Sequence, residues 1–201
     1  MGAKTQQLEL NEVFELMQLM MEGHHRGMQD LLRDCRAVYE NTAGASDGPT
    51  SSFHSSFMHA VGAVDNVRLI EGAITMTTVI VKKNLSTDRT HTMKPNTLSY
   101  LLSLMRCVTE ACQGPCSSNQ EVVADSLMIS TCNTIISFEM NTNPKYNSSN
   151  RYLKSFSALK NQTVVLLLSL IEGRKAEKSD PVFAALYERV DADAFSALKN
   201  Q

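Results

Sequence analysis

The stretch Val108-Thr-Glu-Ala-Cys-Gln-Gly-Pro-Cys116 sets a carboxylate, a side-chain amide and two thiols against a Gly-Pro break, between two apolar, helix-like runs. Three chemistries suit that set of groups: metal ligation, a thiol nucleophile, or simply the end of a helix. Cys112 and Cys116 stand in a C-x₃-C spacing, but a closed tetrahedral zinc site needs two more nitrogen or sulfur donors at workable spacing, and the adjacent His24 and His25 would point to different faces of a helix. A cysteine nucleophile needs a histidine base within reach; Cys112 or Cys116 could meet His24 or His59, which would make a thiol hydrolase, but sequence distance alone gives no such geometry. There is no glycine-rich phosphate loop, no His-Glu-x-x-His, no Gly-x-Ser-x-Gly and no calcium loop of the helix-loop-helix type. The thiols therefore read as packing groups, and the chain does not read as an enzyme.

Two carboxylates stand out by position instead. Glu22 directly precedes Gly23, and Glu110 lies one turn before the Gly114-Pro115 break. Both are places where a helix stops and its last carbonyl oxygens lose their intrahelical partners. Carboxylate beside free carbonyl oxygen is the donor set a hard cation such as calcium prefers. A solvated glutamate near a helix terminus is the competing reading of each.

The elements that must hold these residues are helical. Leu8, Leu10, Val13, Phe14, Met17, Met20 and Met21 recur at helical intervals and predict an amphipathic helix from about residue 7 to Glu22, stopping at Gly23. A second helix carries Met28, Leu31, Leu32, Cys35, Val38 and Tyr39 on one side and Arg26, Asp30, Arg33 and Asp34 on the other. Residues 41–52 hold Gly44, Gly48 and Pro49 among small polar residues and read as a loop. From Phe53 to about Leu85 the chain is largely apolar, with a break near Gly62 or Gly72; its β-branched run Ile74–Val81 reads as a buried helix, because no second strand signal exists for it to pair with. After a polar loop at 87–97, one helix leads into the quoted stretch and another spans about Asn119 to Glu139. An Asn- and Ser-rich loop at 141–150 precedes a long helix from about Arg151 to Gly173, then a charged linker, Arg174 to Asp180, and a short terminal helical pair. About eight helices with short connections make an all-α protein, for which an antiparallel helical stack is the natural architecture. The heptapeptide Phe156–Gln162 recurs at Phe195–Gln201; with no further copies it reads as coincidence, a decayed repeat being the alternative.

Composition narrows the function. The 201 residues carry a formal net charge of −2 and their 19 basic residues are scattered, so no basic face for nucleic acid is expected. No apolar run approaches the ~18 residues that span a bilayer, and the N-terminal Met-Gly-Ala-Lys-Thr-Gln-Gln lacks the apolar core of a signal peptide. Five cysteines, Cys35, Cys107, Cys112, Cys116 and Cys132, are an odd number in a chain that is not small. They suggest reduced thiols in the cytosol.

Three blocks, Met21-Glu-Gly-His-His-Arg-Gly-Met-Gln-Asp-Leu-Leu-Arg33, Val108-Thr-Glu-Ala-Cys-Gln-Gly-Pro-Cys-Ser-Ser-Asn-Gln120 and Leu159–Gly173, resemble in order the RIH-associated domain of inositol trisphosphate and ryanodine receptors, the intracellular calcium-release channels. The resemblance covers nearly the whole chain, residues 1–201, as one domain. The tail at Ala185-Leu-Tyr-Glu-Arg looks more like the inositol trisphosphate receptor branch. The resemblance implies an armadillo-like α-solenoid in the cytosolic part of a homotetrameric channel of the endoplasmic reticulum membrane. It further implies that Glu22 and Glu110 are ligands of the activating calcium ion and that His24 and Gln113 surround them. Glu172 would support the site without touching the ion, and the channel's C-terminal domain would complete it, so calcium binding by this chain alone would be weak. His25 departs from the family pattern, in which Asn is usual, and the loops at 41–52 and 86–97 do not align. A stand-alone helical scaffold that binds partner peptides or helices on a concave face is the alternative.

Overall fold

The structure, a computed structural model, describes residues 2–33, 68–85, 93–138, 150–177 and 179–193. Among these residues there are eight helices and no strand: α1 Gly2–Met21, α2 Arg26–Arg33, α3 Leu69–Asn84, α4 Pro95–Cys112, α5 Ser117–Asp125, α6 Met128–Ser137, α7 Asn150–Ser169 and α8 Pro181–Arg189. The all-α expectation holds. Cys35, the 41–52 loop, the chain from Phe53 to 67, most of the 87–97 and 141–150 loops and the second heptapeptide copy fall outside the described residues.

α4 is the central element because most of its surface is apolar, with only a narrow exposed stripe at Asn96, Ser99 and Arg106. Leu98, Tyr100, Leu101, Leu104, Met105, Cys107, Val108, Ala111 and Cys112 are all buried, and so wide an apolar face has to be covered by several neighbours at once. α1, α3, α5 and α7 pack against it. α3 settles the ambiguity of the β-branched run: Ile70, Ala73, Ile74, Thr77 and Val81 are buried at three- and four-residue steps, the period of a helix rather than a strand. Thr77 survives in that stripe because its hydroxyl donates to the Ala73 carbonyl at 2.8 Å. Gly72 does not break the chain but lies within α3.

Two further expectations are corrected. The predicted helix from Asn119 to Glu139 is two helices, α5 and α6, because Ser126 Oγ donates to the Val123 carbonyl and accepts from the Met128 amide, closing a side-chain turn that competes with helix. On α1 only Phe14, Met17 and Met21 of the described apolar residues face the core, whereas Val13 and Met20 are exposed along with Leu16 and Leu19. The buried stripe of α1 is thus narrower than its composition suggests.

Candidate functional site

Three helices, α1, α4 and α7, reach their C-termini at one place, and each ends through a glycine with positive φ: Gly23 at 75°, Gly114 at 70° and Gly173 at 69°. Glycine adopts this left-handed conformation without a Cβ penalty and so terminates helices. Two of the three positions also need glycine for space. A Cβ on Gly114 would lie 2.1 Å from His24 Cβ and 2.3 Å from its Cγ, and one on Gly173 would lie 2.5 Å from Pro115 Cγ. The turn that follows α1 therefore rests on one residue of the α4 terminus, and the turn that follows α7 rests on the next.

This docking brings the sequence-predicted residues together. Glu22 is exposed at the end of α1, Glu110 is half-buried in the last turn of α4, and Glu172 is exposed in the turn after α7. Burial pushes the Glu110 carboxyl above its ordinary value; His24 pulls it down and Glu22 pushes it up again, with a net rise. Glu22, His24 and Glu110 thus share one electrostatic environment. His24 is not on a helix face, as its spacing suggested, but in the turn at φ 60°, where a side chain other than glycine is strained. His25 is likewise outside a helix: its Nδ1 accepts from the Met28 amide at 3.3 Å, so it caps α2.

The expectation of free carbonyl oxygens beside Glu110 is not met. Gln29 Nε2 donates to the main-chain oxygens of Glu110 at 2.7 Å and Gln113 at 2.8 Å. Asn119 Nδ2 donates to Ala111 O at 2.7 Å, and Gln120 Nε2 to Cys112 O at 3.3 Å. Side-chain amides from α2 and α5 thus occupy four successive carbonyls at the helix end, of which Cys112 O also accepts from the Cys116 amide at 3.4 Å. Gln120 Nε2 also reaches Ser169 O and Glu172 O, so the ends of α4 and α7 share one buried amide. The amide oxygens of Asn119 and Gln120 are held by arginines, Asn119 Oδ1 by Arg33 at 3.0 Å and Gln120 Oε1 by Arg174 at 2.7 Å.

Gln29, Asn119, Gln120 and Arg174 are the residues that reading by type and spacing passed over. Gln29 carried a signal: it sits three residues before Leu32 on the same helix face, and both are buried. A glutamine on an apolar face must bond something. Arg174 is no solvated linker residue, since its side chain is only 7% exposed and it bonds Asp180, Glu121 and the Ser117 carbonyl besides Gln120. Asp180 in turn caps α8 by accepting from the Val182 and Phe183 amides.

Cys107, Cys112, Cys116 and Cys132 are free and buried. Burial pushes Cys107 and Cys132 up to about 12, and Cys112 is raised as well by burial. Cys116 Sγ lies 3.9 Å from Arg33 and from Asp30.

Among the described residues no group of three or more His, Cys, Asp or Glu is placed to hold a metal ion. Glu22 and Glu110 are hard oxygen donors of the kind that suits calcium, so the donor chemistry fits while the ligand number is incomplete among the described residues. No helix among the described residues is long and apolar enough to cross a membrane.

Comparison with curated proteins and with solved structures returns no significant match to either. Comparison with family profiles does: residues 4–136 match the domain described as RyR and IP3R Homology associated, a profile shared by both receptor types. That span runs from α1 to the end of α6 and contains Glu22, His24, Gln29 and the α4 terminus with its amide caps, so the chain belongs to the RyR and IP3R Homology associated family, a domain of the ryanodine and inositol trisphosphate receptor channels.

Proposed function

We propose that this chain is a regulatory domain, spanning residues 1–201, of a tetrameric intracellular calcium-release channel, and that Glu22 and Glu110 contribute carboxylates to the calcium site that activates it. The observation that carries the reading is the meeting of two glutamates from distant parts of the sequence at adjoining helix C-termini, where the Glu22 carboxylate raises the Glu110 carboxyl. A helix C-terminus bears partial negative charge and favours Lys or Arg. Glu22, Glu110 and Glu172 instead place carboxylates at three such ends, and Glu22 raises the Glu110 carboxyl further. An arrangement that destabilises the free domain is explained if a cation relieves it.

Calcium, when bound, supplies the positive charge that cancels the repulsion between these carboxylates. Glu22 and Glu110 would hold it, and further oxygen ligands would come from another domain of the channel, such as the C-terminal domain. His24, resting on Gly114, fixes the turn that carries Glu22, Gln113 follows Glu110 at the same terminus, and Glu172 adds charge from α7. The two carboxylates favour whichever channel conformation presents the complementary ligands, and the differential affinity shifts the gating equilibrium. An armadillo-like stacking of the helices and a place on the cytosolic face of the endoplasmic reticulum membrane belong to the same proposal.

Calcium titration of the chain tests this. With only two carboxylates the expected affinity is weak, about 1 mM or weaker, and Glu22→Gln with Glu110→Gln removes it. Tight binding that survives the double substitution sinks the assignment.

A further inference from the structure

We propose that Gln29 is a positioning residue for the two-carboxylate cation site, an inference that rests on the reading of Glu22 and Glu110 just given. Gln29 stands on α2, the helix that follows directly from the turn bearing Glu22. Its side-chain amide crosses to the other carboxylate's own backbone: Nε2 bonds the main-chain oxygens of Glu110 at 2.7 Å and Gln113 at 2.8 Å. The bonds bracket the last turn of α4, so they fix both where Glu110 sits along the helix axis and how that turn is rotated. Asn119 Nδ2 reinforces the same junction by donating to Ala111 O at 2.7 Å and to Gln29 O at 3.4 Å. The segment with Glu22 and the segment with Glu110 are thereby joined through one side chain.

A second observation separates positioning from simple stabilisation. Gln29 is fully buried, and its Oε1 has no hydrogen-bond partner among the described residues. Because Nε2 faces two carbonyls, the amide cannot rotate to exchange its ends. Burying a polar acceptor without a partner is unfavourable, so an apolar residue of similar size would serve packing alone. What Gln29 adds is the pair of directed bonds onto the Glu110 turn. Outer groups that orient metal ligands act in this way, and their loss weakens binding without removing a ligand.

The test is an amide-resolved NMR titration of the full chain with calcium chloride, reading affinity from the Gly114 and Gly23 amides. Gln29→Met is expected to weaken calcium binding by about three- to tenfold, at or below the usual loss of an outer support, and to shift the calcium-free resonances of residues 110–114 most. Ile135→Ala, a core change on α6 of comparable cost to stability, is expected to leave affinity within about twofold, because it is remote from the site. In the unsubstituted chain the Gln29 side-chain amide is expected to shift with the same midpoint as Gly114, a reading that requires no variant to fold. If Glu110→Gln abolishes binding while Gln29→Met leaves it unchanged, or if the Gln29 amide does not respond, the positioning role is overturned and the calcium site stands. If Glu110→Gln leaves binding intact, the site reading itself falls and takes this inference with it.

Discussion

The docking of His24 on Gly114 is the contact that sets Glu22 beside Glu110, and Gly114→Ala probes it directly. The new methyl group would lie 2.1 Å from His24 Cβ, 2.3 Å from Cγ and 2.8 Å from Nδ1, far inside van der Waals contact. The first of these atoms is fixed to the backbone, so the whole turn after α1 has to move. Overpacking of this kind costs about 1–3 kcal/mol. An alanine at φ 70° adds about 1–2 kcal/mol of left-handed strain. Gly114→Ala should therefore destabilise the chain by roughly 2–5 kcal/mol. In a His24→Gly background all three of those contacts disappear and only the strain of about 1–2 kcal/mol remains. His24→Gly by itself should cost little, because it also relieves the positive φ at residue 24. Urea denaturation followed by far-UV circular dichroism, on the four members of the cycle, should return a coupling energy of about 1–3 kcal/mol. Equal losses in the two backgrounds, within about 0.5 kcal/mol, would refute the contact and with it the route by which the two glutamates meet.

Three other outcomes follow from the same geometry. The Glu110 carboxyl is raised in the folded state, by burial before any charge effect, so the native chain holds a proton that the unfolded chain has already lost; stability should fall as pH rises from the ordinary carboxylate range through the raised value. Glu110→Gln should remove that part of the pH dependence and stabilise the calcium-free chain at neutral pH, and a slope unchanged by the substitution would show that Glu110 is not its source. Gln120→Leu keeps the volume but deletes the donor to Cys112 O, Ser169 O and Glu172 O and the acceptor for Arg174; at about 0.5–1.5 kcal/mol net per bond the loss should be roughly 2–6 kcal/mol, and a thermal melt matching the unsubstituted chain would contradict it. In a Cys35→Ser chain the four remaining thiols are all buried and should resist alkylation at about pH 8 until denaturant is added, because only thiolate reacts; rapid native labelling of Cys107, Cys112 or Cys132 would overturn their placement.

How much of this was legible in the sequence differs by element. The helical reading of α3 rested on a missing strand partner and is now explained by its buried stripe. The end of α1 at Gly23 and the end of α4 near Gly114 were visible because glycine is the residue that terminates a helix in left-handed conformation. The α5–α6 break was not, because a single Ser126 side chain decides it within an otherwise helical pattern. Neither was the half-exposed face of α1, since composition does not say which apolar residues will find a neighbour.

The candidate site divides in the same way. Sequence by itself determined that Glu22 and Glu110 stand at helix C-termini, because termination is a local property of glycine and proline, and it carried the motifs that placed the chain in its family. Only the tertiary structure decided that these ends meet, that His24 rests on Gly114, and that the carbonyls beside Glu110 are taken by Gln29, Asn119 and Gln120. Those contacts join residues far apart in the chain through side chains whose partners depend on how whole helices dock around α4, and no local period or propensity encodes that docking.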